Sequence, residues 1–335
     1  MQIGFSFVDL AMGGAQMFLV QLAAGLASRG HSIRYYLYAK QQDTVHANPS
    51  LLKAINLAAE QAYRPADLLS CQVIQLDGYH SIRRKLSYFR KFNRCVETYH
   101  SLYSLRRSGP IYTPHRVALS QSILERIKGN ASLIHSGIPI PAPCLQQEKE
   151  YEVAILGRIH PVKQHLLFLQ VCERIFQQRG SLRVLMIGGH PKPGVYQAKV
   201  DQRVQELRNT GLEILLTGDV TNLSVFDWLC KSRLLLITSE SEGFGRMAVE
   251  AMACGLPVIA NPVGGLLEII EQGQTGFFAI QNDKESFASL ALQLLNDPKL
   301  TTKLGEAGRE AAEMRYSLKA SIDAYEELYG KIADQ

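Results

Sequence analysis

Two glutamates, Glu242 and Glu250, bracket the Gly-Phe-Gly of the stretch EGFGRMAVE. In an unbroken helix this interval leaves them about 80° apart round the axis, sharing a side only loosely. Gly243 and Gly245 favour another arrangement, because glycine holds sharp turns that other residues resist. Glu242 then sits on a loop, a helix begins near Arg246, and Glu250 lies one turn inside it. Both carboxylates face the space above a helix N-terminus, where unpaired N–H groups and the helix dipole attract anions. Carboxylates are not phosphate ligands, but they do accept hydrogen bonds from hydroxyls. A ligand with hydroxyls at both ends of a phosphate group is a nucleotide-sugar.

Three further sets of residues have the chemistry to join them. In GRIHPVK, Arg158 and Lys163 follow the apolar run YEVAIL. On a strand-end loop, Arg forks across phosphate oxygens and Lys adds a point charge, which suits a diphosphate. The plainer reading is two solvated surface charges. Gly13 and Gly14, in MGGAQ, either let the backbone approach a ligand at a helix start or merely make a tight turn. His100, in VETYHSL, ends a predicted strand, which makes it a better catalytic candidate than His80, His115 or His135; a lone histidine is otherwise structural. Gly264, Gly265 and Glu268 read as parts of a turn. There is no G-x-G-x-x-G fingerprint and no acidic residue closing the second strand, which disfavours a nicotinamide enzyme. Nor is there a D-x-D, an HExxH or a Cys/His set, so no metal is indicated.

The elements that must position these groups alternate. IGFSFV, IRYYLY, CQVIQL, CVETY, RVALS and SLIHS read as strands, with helices such as AQMFLVQLAAGLAS between them. GIPIPAPCLQQEKE reads as a linker. A second set follows: YEVAIL, LRVLMIG, EILLT, LLLIT, PVIA and GFFAI. Short apolar strands alternating with helices imply parallel sheets covered on both faces. Two such sets imply two doubly wound α/β domains, with ligands at the carboxyl ends of the strands, in a cleft between them.

The 335 residues are 46% hydrophobic and 20% charged, with a mean hydropathy of -0.05, a globular composition long enough for two domains. No apolar run approaches the roughly 18 residues that cross a membrane, and MQIGFSFVDL does not read as a signal peptide. The six cysteines make no CxxC pair and no ligand-like cluster along the chain, and they read as reduced cytoplasmic thiols. Residues 1–150 carry 17 Lys/Arg against 9 Asp/Glu, and residues 151–335 carry 19 against 22. The basic half favours an anionic partner. Its cations concentrate over residues 81–116, where SIRRKLSYFRKFNR places Ile82, Leu86 and Phe89 at helical spacing. This is either a surface helix packed into its domain or an amphipathic helix meeting an anionic membrane.

In order and spacing, GGAQ at 13–16, TYHS at 98–101, ALSQSILERI at 118–127, GR-x4-K at 157–163, and E-GFG-x4-E running into AMACGLPVIA resemble a retaining glycosyltransferase of family 4 (glycosyltransferase group 1) with the GT-B fold. The resemblance runs from about residue 2 to residue 280. It implies an acceptor-binding Rossmann-like domain over residues 1–143, a nucleotide-sugar-binding one over 144–317, and a final helix over 318–335 that packs back on the first. It implies that Gly14 contacts the diphosphate, and that Arg158 and Lys163 neutralise the departing nucleoside diphosphate in place of a metal. By the same resemblance Glu242 binds donor-sugar hydroxyls, Phe244 and Gly245 offer backbone N–H groups, Glu250 holds the ribose, and His100 supports the transition state. Arg246 departs from the family, which often has an aliphatic residue there; it meets the diphosphate, an acidic sugar or solvent. The first domain is also short, without the long insertions that contact acceptors in relatives.

The expected activity is metal-independent, retaining transfer from a UDP-, GDP- or ADP-sugar to a lipid-linked or polysaccharide acceptor. It needs no cofactor and no nucleic acid, and belongs in the cytoplasm or on the inner membrane face. The alternatives are a nucleotide-sugar epimerase on the same fold, which would turn over donor without acceptor, and a non-catalytic nucleotide-sugar-binding subunit.

Overall fold

A computed structural model describes the chain apart from residues 11–13, 39–48, 79, 108–112, 145–147, 190–193 and 221. Gly13 lies outside the described residues. The chain divides into two compact units, one of residues 1–139 with 316–335, the other of residues 140–315.

The first unit carries strands β1 (Gln2–Phe7), β2 (Ser32–Leu37), β3 (Glu60–Gln61), β4 (Val73–Asp77), β5 (Cys95–Tyr99), β6 (His115–Ala118) and β7 (Ser132–Leu133). They form one parallel sheet in the order β3-β2-β1-β4-β5-β6-β7. The order reverses between β1 and β4, the switch point where doubly wound sheets place ligands. Ile3 and Phe5 of β1 and Val73, Ile74 and Leu76 of β4 are all buried. Both faces of these strands are covered, which is why they read as apolar runs rather than alternating ones. The helix Gly14–Ser28 buries Phe18, Leu22 and Leu26, spaced at about one turn. The helix Leu318–Ala333 packs on the same unit. Its Tyr325 lies 5.8 Å from Phe18 and shares a hydrogen bond with Thr98 (2.9 Å), and its Tyr329 hydroxyl donates to Gln75 Oε1 (2.7 Å).

The second unit carries β8 (Tyr151–Leu156), β9 (Arg183–Ile187), β10 (Glu213–Leu216), β11 (Ser232–Ile237), β12 (Val258–Ala260) and β13 (Gly276–Phe278). Its parallel sheet runs β10-β9-β8-β11-β12-β13, with the same reversal between β8 and β11. The helix His165–Arg179 buries Phe168, Leu169, Cys172 and Ile175 against this sheet.

Two expectations are corrected. SIRRKLSYFRKFNR is not one amphipathic helix. A single turn of helix, Ile82–Leu86, gives way to a 3₁₀ stretch, Phe89–Arg94, with non-helical backbone at Tyr88 and Lys91. The cause is polar: Lys85 turns inward, where Nζ donates to Glu97 Oε2 (2.8 Å), and Tyr88 turns inward to share a hydrogen bond with Ser6 Oγ (2.7 Å). Leu86 and Phe89 are left 53% and 72% exposed. The cysteines are not all separate thiols either. Cys144 and Cys230 form a disulfide, and Cys254 lies beside it. Spacing along the chain cannot show this, because the bridge joins residues 86 positions apart. Among the described residues no helix is long and apolar enough to cross a membrane.

Candidate functional site

The second unit gathers most of the singled-out residues at the carboxyl ends of its strands. After β8 the chain runs through Gly157 and an exposed Arg158 into a 3₁₀ turn, Pro161–Lys163, that leads into the helix His165–Arg179. This loop is fixed by backbone bonds to its neighbours. Ile159 N–H donates to Gly189 O (3.0 Å), and Glu240 N–H donates to Val162 O (2.8 Å). Thr238, just past β11, donates from its hydroxyl to Lys163 O (2.9 Å). The Lys163 backbone is thus tied to the β11 loop, and its side chain reaches across. Nζ donates to Glu242 Oε1 at 2.6 Å, with the side chains 18% and 10% exposed. Arg158 has no carboxylate within ion-pair distance among the described residues.

Glu242 sits on a loop, and the next helix is Arg246–Ala253, capped by Gly245 in the left-handed region (φ 101°). Phe244 is buried, and it anchors the loop. The loop lies so close to the following turn that a Cβ on Gly264 would stand 1.8 Å from Glu242 O, and one on Gly265 would stand 2.2 Å from Phe244 O. The glycine pair therefore lets two backbones touch and sets the height of the Glu242 loop, a positioning role the sequence does not show. Asn261 completes the frame, donating from Nδ2 to Thr238 O and Ser239 O.

One turn into the helix, Glu250 Oε1 accepts from Arg246 Nε (2.8 Å). Arg246 therefore pairs with the second glutamate and does not reach into solvent. Burial pushes the Glu250 carboxyl above its ordinary range, and the Arg246 guanidinium opposes the shift. His165, the first residue of its helix, was not singled out in the sequence. It is buried beside Tyr196, and burial, reinforced by the nearby Lys163 cation, pulls its imidazole down to about 4.

Gly14 and His100 lie in the first unit. Gly14 is exposed at the start of its helix. His100 follows β5 and is buried; its backbone N–H donates to Ser104 Oγ (3.1 Å). Burial pulls its imidazole down to about 4, and the Asp77 carboxylate opposes the shift, so the ring is neutral at pH 7. Asp77 belongs to a chain that sequence reasoning missed. Its Oδ2 accepts from Val8 N–H (2.8 Å), its Oδ1 pairs with His80 Nδ1 (2.8 Å), His80 Nε2 bonds Ser6 Oγ (2.8 Å), and Ser6 Oγ bonds Tyr88. The one trace in the sequence is the D-x-x-H spacing of Asp77 and His80. Because Ser6 is buried and its oxygen is already shared with Tyr88, the chain braces β1 against β4 and leaves no nucleophile exposed.

Comparisons with known proteins bear on the family and the fold. N-acetyl-alpha-D-glucosaminyl L-malate synthase from Bacillus anthracis is 36% identical over 128 residues, 38% of this chain and 33% of that protein. An uncharacterised glycosyltransferase from Methanocaldococcus jannaschii is 29% identical over 211 residues, 63% of this chain and 56% of that protein. The matches thus span from a third to just over half of the length of these curated relatives. HepE from Anabaena, solved in complex with UDP, superposes with a TM-score of 0.79 at 18% identity, over 99% of this chain and 100% of that one. Sucrose-phosphate synthase from Thermosynechococcus elongatus superposes with a TM-score of 0.76 at 18% identity, over 99% and 98%. The fold is GT-B. The profile of the glycosyl transferases group 1 family matches residues 140–311, more than half of the sequence, and the chain belongs to that family.

Proposed function

We propose that the protein transfers a sugar from a nucleotide-sugar to an acceptor hydroxyl, with retention of anomeric configuration and without a metal. The observation that carries this reading is the Lys163–Glu242 pair, set beside a glycine-capped helix start and an exposed Arg158. In this reading the Arg246–Ala253 N-terminus and the two cations take the diphosphate. Lys163 is prepositioned by Glu242 and turns its charge to the leaving phosphate as the glycosidic bond breaks. Such fixed charge costs no reorganisation at the transition state. Glu242, relieved of part of its pairing, accepts hydrogen bonds from the sugar, and Glu250 accepts them from the ribose in a rotamer held by Arg246. The departing phosphate takes the acceptor's proton on the face it leaves, which accounts for retention with no covalent nucleophile assigned. His100 and Gly14 are assigned to the sugar and the diphosphate by the family pattern.

Uracil is the first base to try, because HepE has been solved with UDP and with UDP-glucose. A lipid-linked or polysaccharide acceptor at a cytoplasmic membrane face fits the exposed Leu86 and Phe89 beside the exposed Arg83 and Arg90.

A thermal-shift screen of UDP-, GDP- and ADP-sugars, followed by turnover with EDTA present and NMR of the product anomer, tests the reading. Stabilisation by one donor class, EDTA-resistant turnover and a retained anomer are expected. Activity lost in EDTA and restored by Mg²⁺ would overturn metal independence, and an inverted anomer would overturn retention. Donor turnover to a new sugar without any acceptor would identify an epimerase.

A further inference from the structure

At the other end of the second unit's sheet, three cysteines meet. Cys144 precedes β8, Cys230 ends the helix Asn222–Cys230, and Cys254 caps the C-terminus of the helix Arg246–Ala253. Their Sγ atoms all lie within 4.8 Å of one another. We propose that, when the Cys144–Cys230 bridge is reduced, these three thiols bind one thiophilic divalent cation of the zinc class.

Geometry supports this. Thiolates bind zinc at about 2.3 Å in a tetrahedron, which puts the sulfurs about 3.8 Å apart. Cys254 Sγ lies within 4.8 Å of the other two sulfurs, about an ångström beyond that spacing at most, and the bonded pair must part to reach it. The Cα atoms of Cys144 and Cys230 are 5.4 Å apart, so side-chain rotation supplies the remaining movement. A disulfide holds two of the sulfurs at about 2 Å, so bridge and ion exclude one another.

Access and charge also fit. Cys144 and Cys254 line a cavity of about 470 Å³, together with Thr301, Thr302 and Glu306. A cation has a way in, and a water has room at the fourth position. Three thiolates around a divalent ion carry one excess negative charge. Lys149, Arg233 and Arg309 line the same cavity, with Glu306 as its one carboxylate among the described residues. Two of these cations also brace the ligand-bearing backbone: Lys149 Nζ donates to Cys230 O (2.8 Å), and Arg309 donates to Ala253 O and Pro141 O. Cys71, Cys95 and Cys172 are buried without such company and pack as small apolar side chains.

The test uses the full chain, free of any affinity tag. One portion is reduced with a phosphine and one is oxidised with diamide, and each is titrated with Cd²⁺ and with Co²⁺. The reduced chain should take one ion, develop sulfur-to-metal charge-transfer absorption and unfold at a higher temperature. The oxidised chain should do none of these. Cys254→Ser should weaken binding by more than about 100-fold, beyond the 10–100-fold that changes outside the ligand shell cost. Cys172→Ser should leave binding unchanged. Absence of the charge-transfer band in the reduced wild type overturns the proposal, and needs no variant to fold. A band of undiminished strength in Cys254→Ser, or equal binding by the oxidised chain, overturns it as well.

Discussion

The polar groups at the strand ends of the two units are built on opposite terms. In the first unit, Asp77, His80, Ser6 and Lys85 with Glu97 are sealed from solvent, and Tyr99 adds a hydrogen bond to Glu97 Oε2 (2.8 Å). In the second, the Lys163–Glu242 pair keeps some contact with solvent, and the Glu250 carboxyl beside Arg246 is more deeply desolvated. A sealed pair has no water to fall back on, so its geometry is fixed and its loss is severe. A partly exposed pair can exchange its partner for a ligand at small cost, because solvent screens each charge in the interval. The first unit therefore uses charge to hold strands in place, and the second keeps a paired charge within reach of solvent.

The sharpest way to break this contrast is to remove the cation from each kind of pair. Lys85→Met leaves the Glu97 carboxylate buried, with Tyr99 as its remaining donor. It should cost about 3–5 kcal/mol in urea unfolding, as broken buried pairs do. Adding Glu97→Leu should recover most of that, because no charge is then stranded. A loss under about 1 kcal/mol in Lys85→Met would show that the pair is wetter than its burial implies.

Lys163→Ala should show the reverse pattern. Stability should fall by less than in Lys85→Met, because the pair keeps some contact with solvent, while kcat should fall by roughly 10²–10³ if the ammonium meets charge that develops on the leaving phosphate. An effect confined to KM would remove Lys163 from the transition state. Equal destabilisation of Lys163→Ala and Lys85→Met would erase the distinction between the two units.

Much of this architecture was legible in the sequence, and the boundary of legibility is physical. YEVAIL and LLLIT read as strands because burial on both faces makes Val153–Leu156 and Leu234–Ile237 apolar throughout. β3 did not, because Glu60 and Gln61 are polar, exposed and only two residues at a sheet edge. The helix start at Arg246 was legible because Gly245 must adopt a left-handed backbone there. The pairing of Lys163 with Glu242 was not, because 79 residues separate them. Lys85 was misread for a related reason. A lysine between two arginines and a leucine predicts a solvated face, and only the carboxylate of Glu97 on β5 turns it inward. The Cys144–Cys230–Cys254 meeting and the bond between Ser6 and His80 are contacts of the same long-range kind.

The two glutamates of the second unit offer a finer division within the exchangeable class. Glu250→Ala should weaken both the free nucleoside diphosphate and the full donor, by about 10- to 100-fold if it loses charged hydrogen bonds to the ribose. Glu242→Ala should weaken the full donor and leave the nucleoside diphosphate unchanged or slightly tighter, because Lys163 is released toward the phosphates. Calorimetry with both ligands separates the cases. Parallel losses in the two variants would show that the glutamates do not grip opposite ends of the donor.

The smallest effect is expected at the surface of the first unit, where the sealed and solvated classes meet within one segment. Lys85 is spent inside, so it cannot meet a membrane, whereas Arg83 and Arg90 stay exposed beside Leu86 and Phe89. A cation near an anionic leaflet contributes about 1 kcal/mol, and an apolar side chain dipping into the interface adds to it. Binding should therefore be weak, reversible and reduced by salt, because the Debye length falls to about 10 Å at 0.1 M. Sedimentation with vesicles of anionic phospholipid should recover the protein, and neutral phosphatidylcholine vesicles should not. Arg83→Ser with Arg90→Ser should abolish the difference between the two vesicles, and Phe89→Ser should lower binding to the anionic ones while leaving their salt dependence. Lys85→Gln should change stability first and binding only through it. Equal sedimentation with both vesicles would leave Arg83 and Arg90 as ordinary solvated charges, and would move the anionic partner of this basic half to a soluble acidic acceptor.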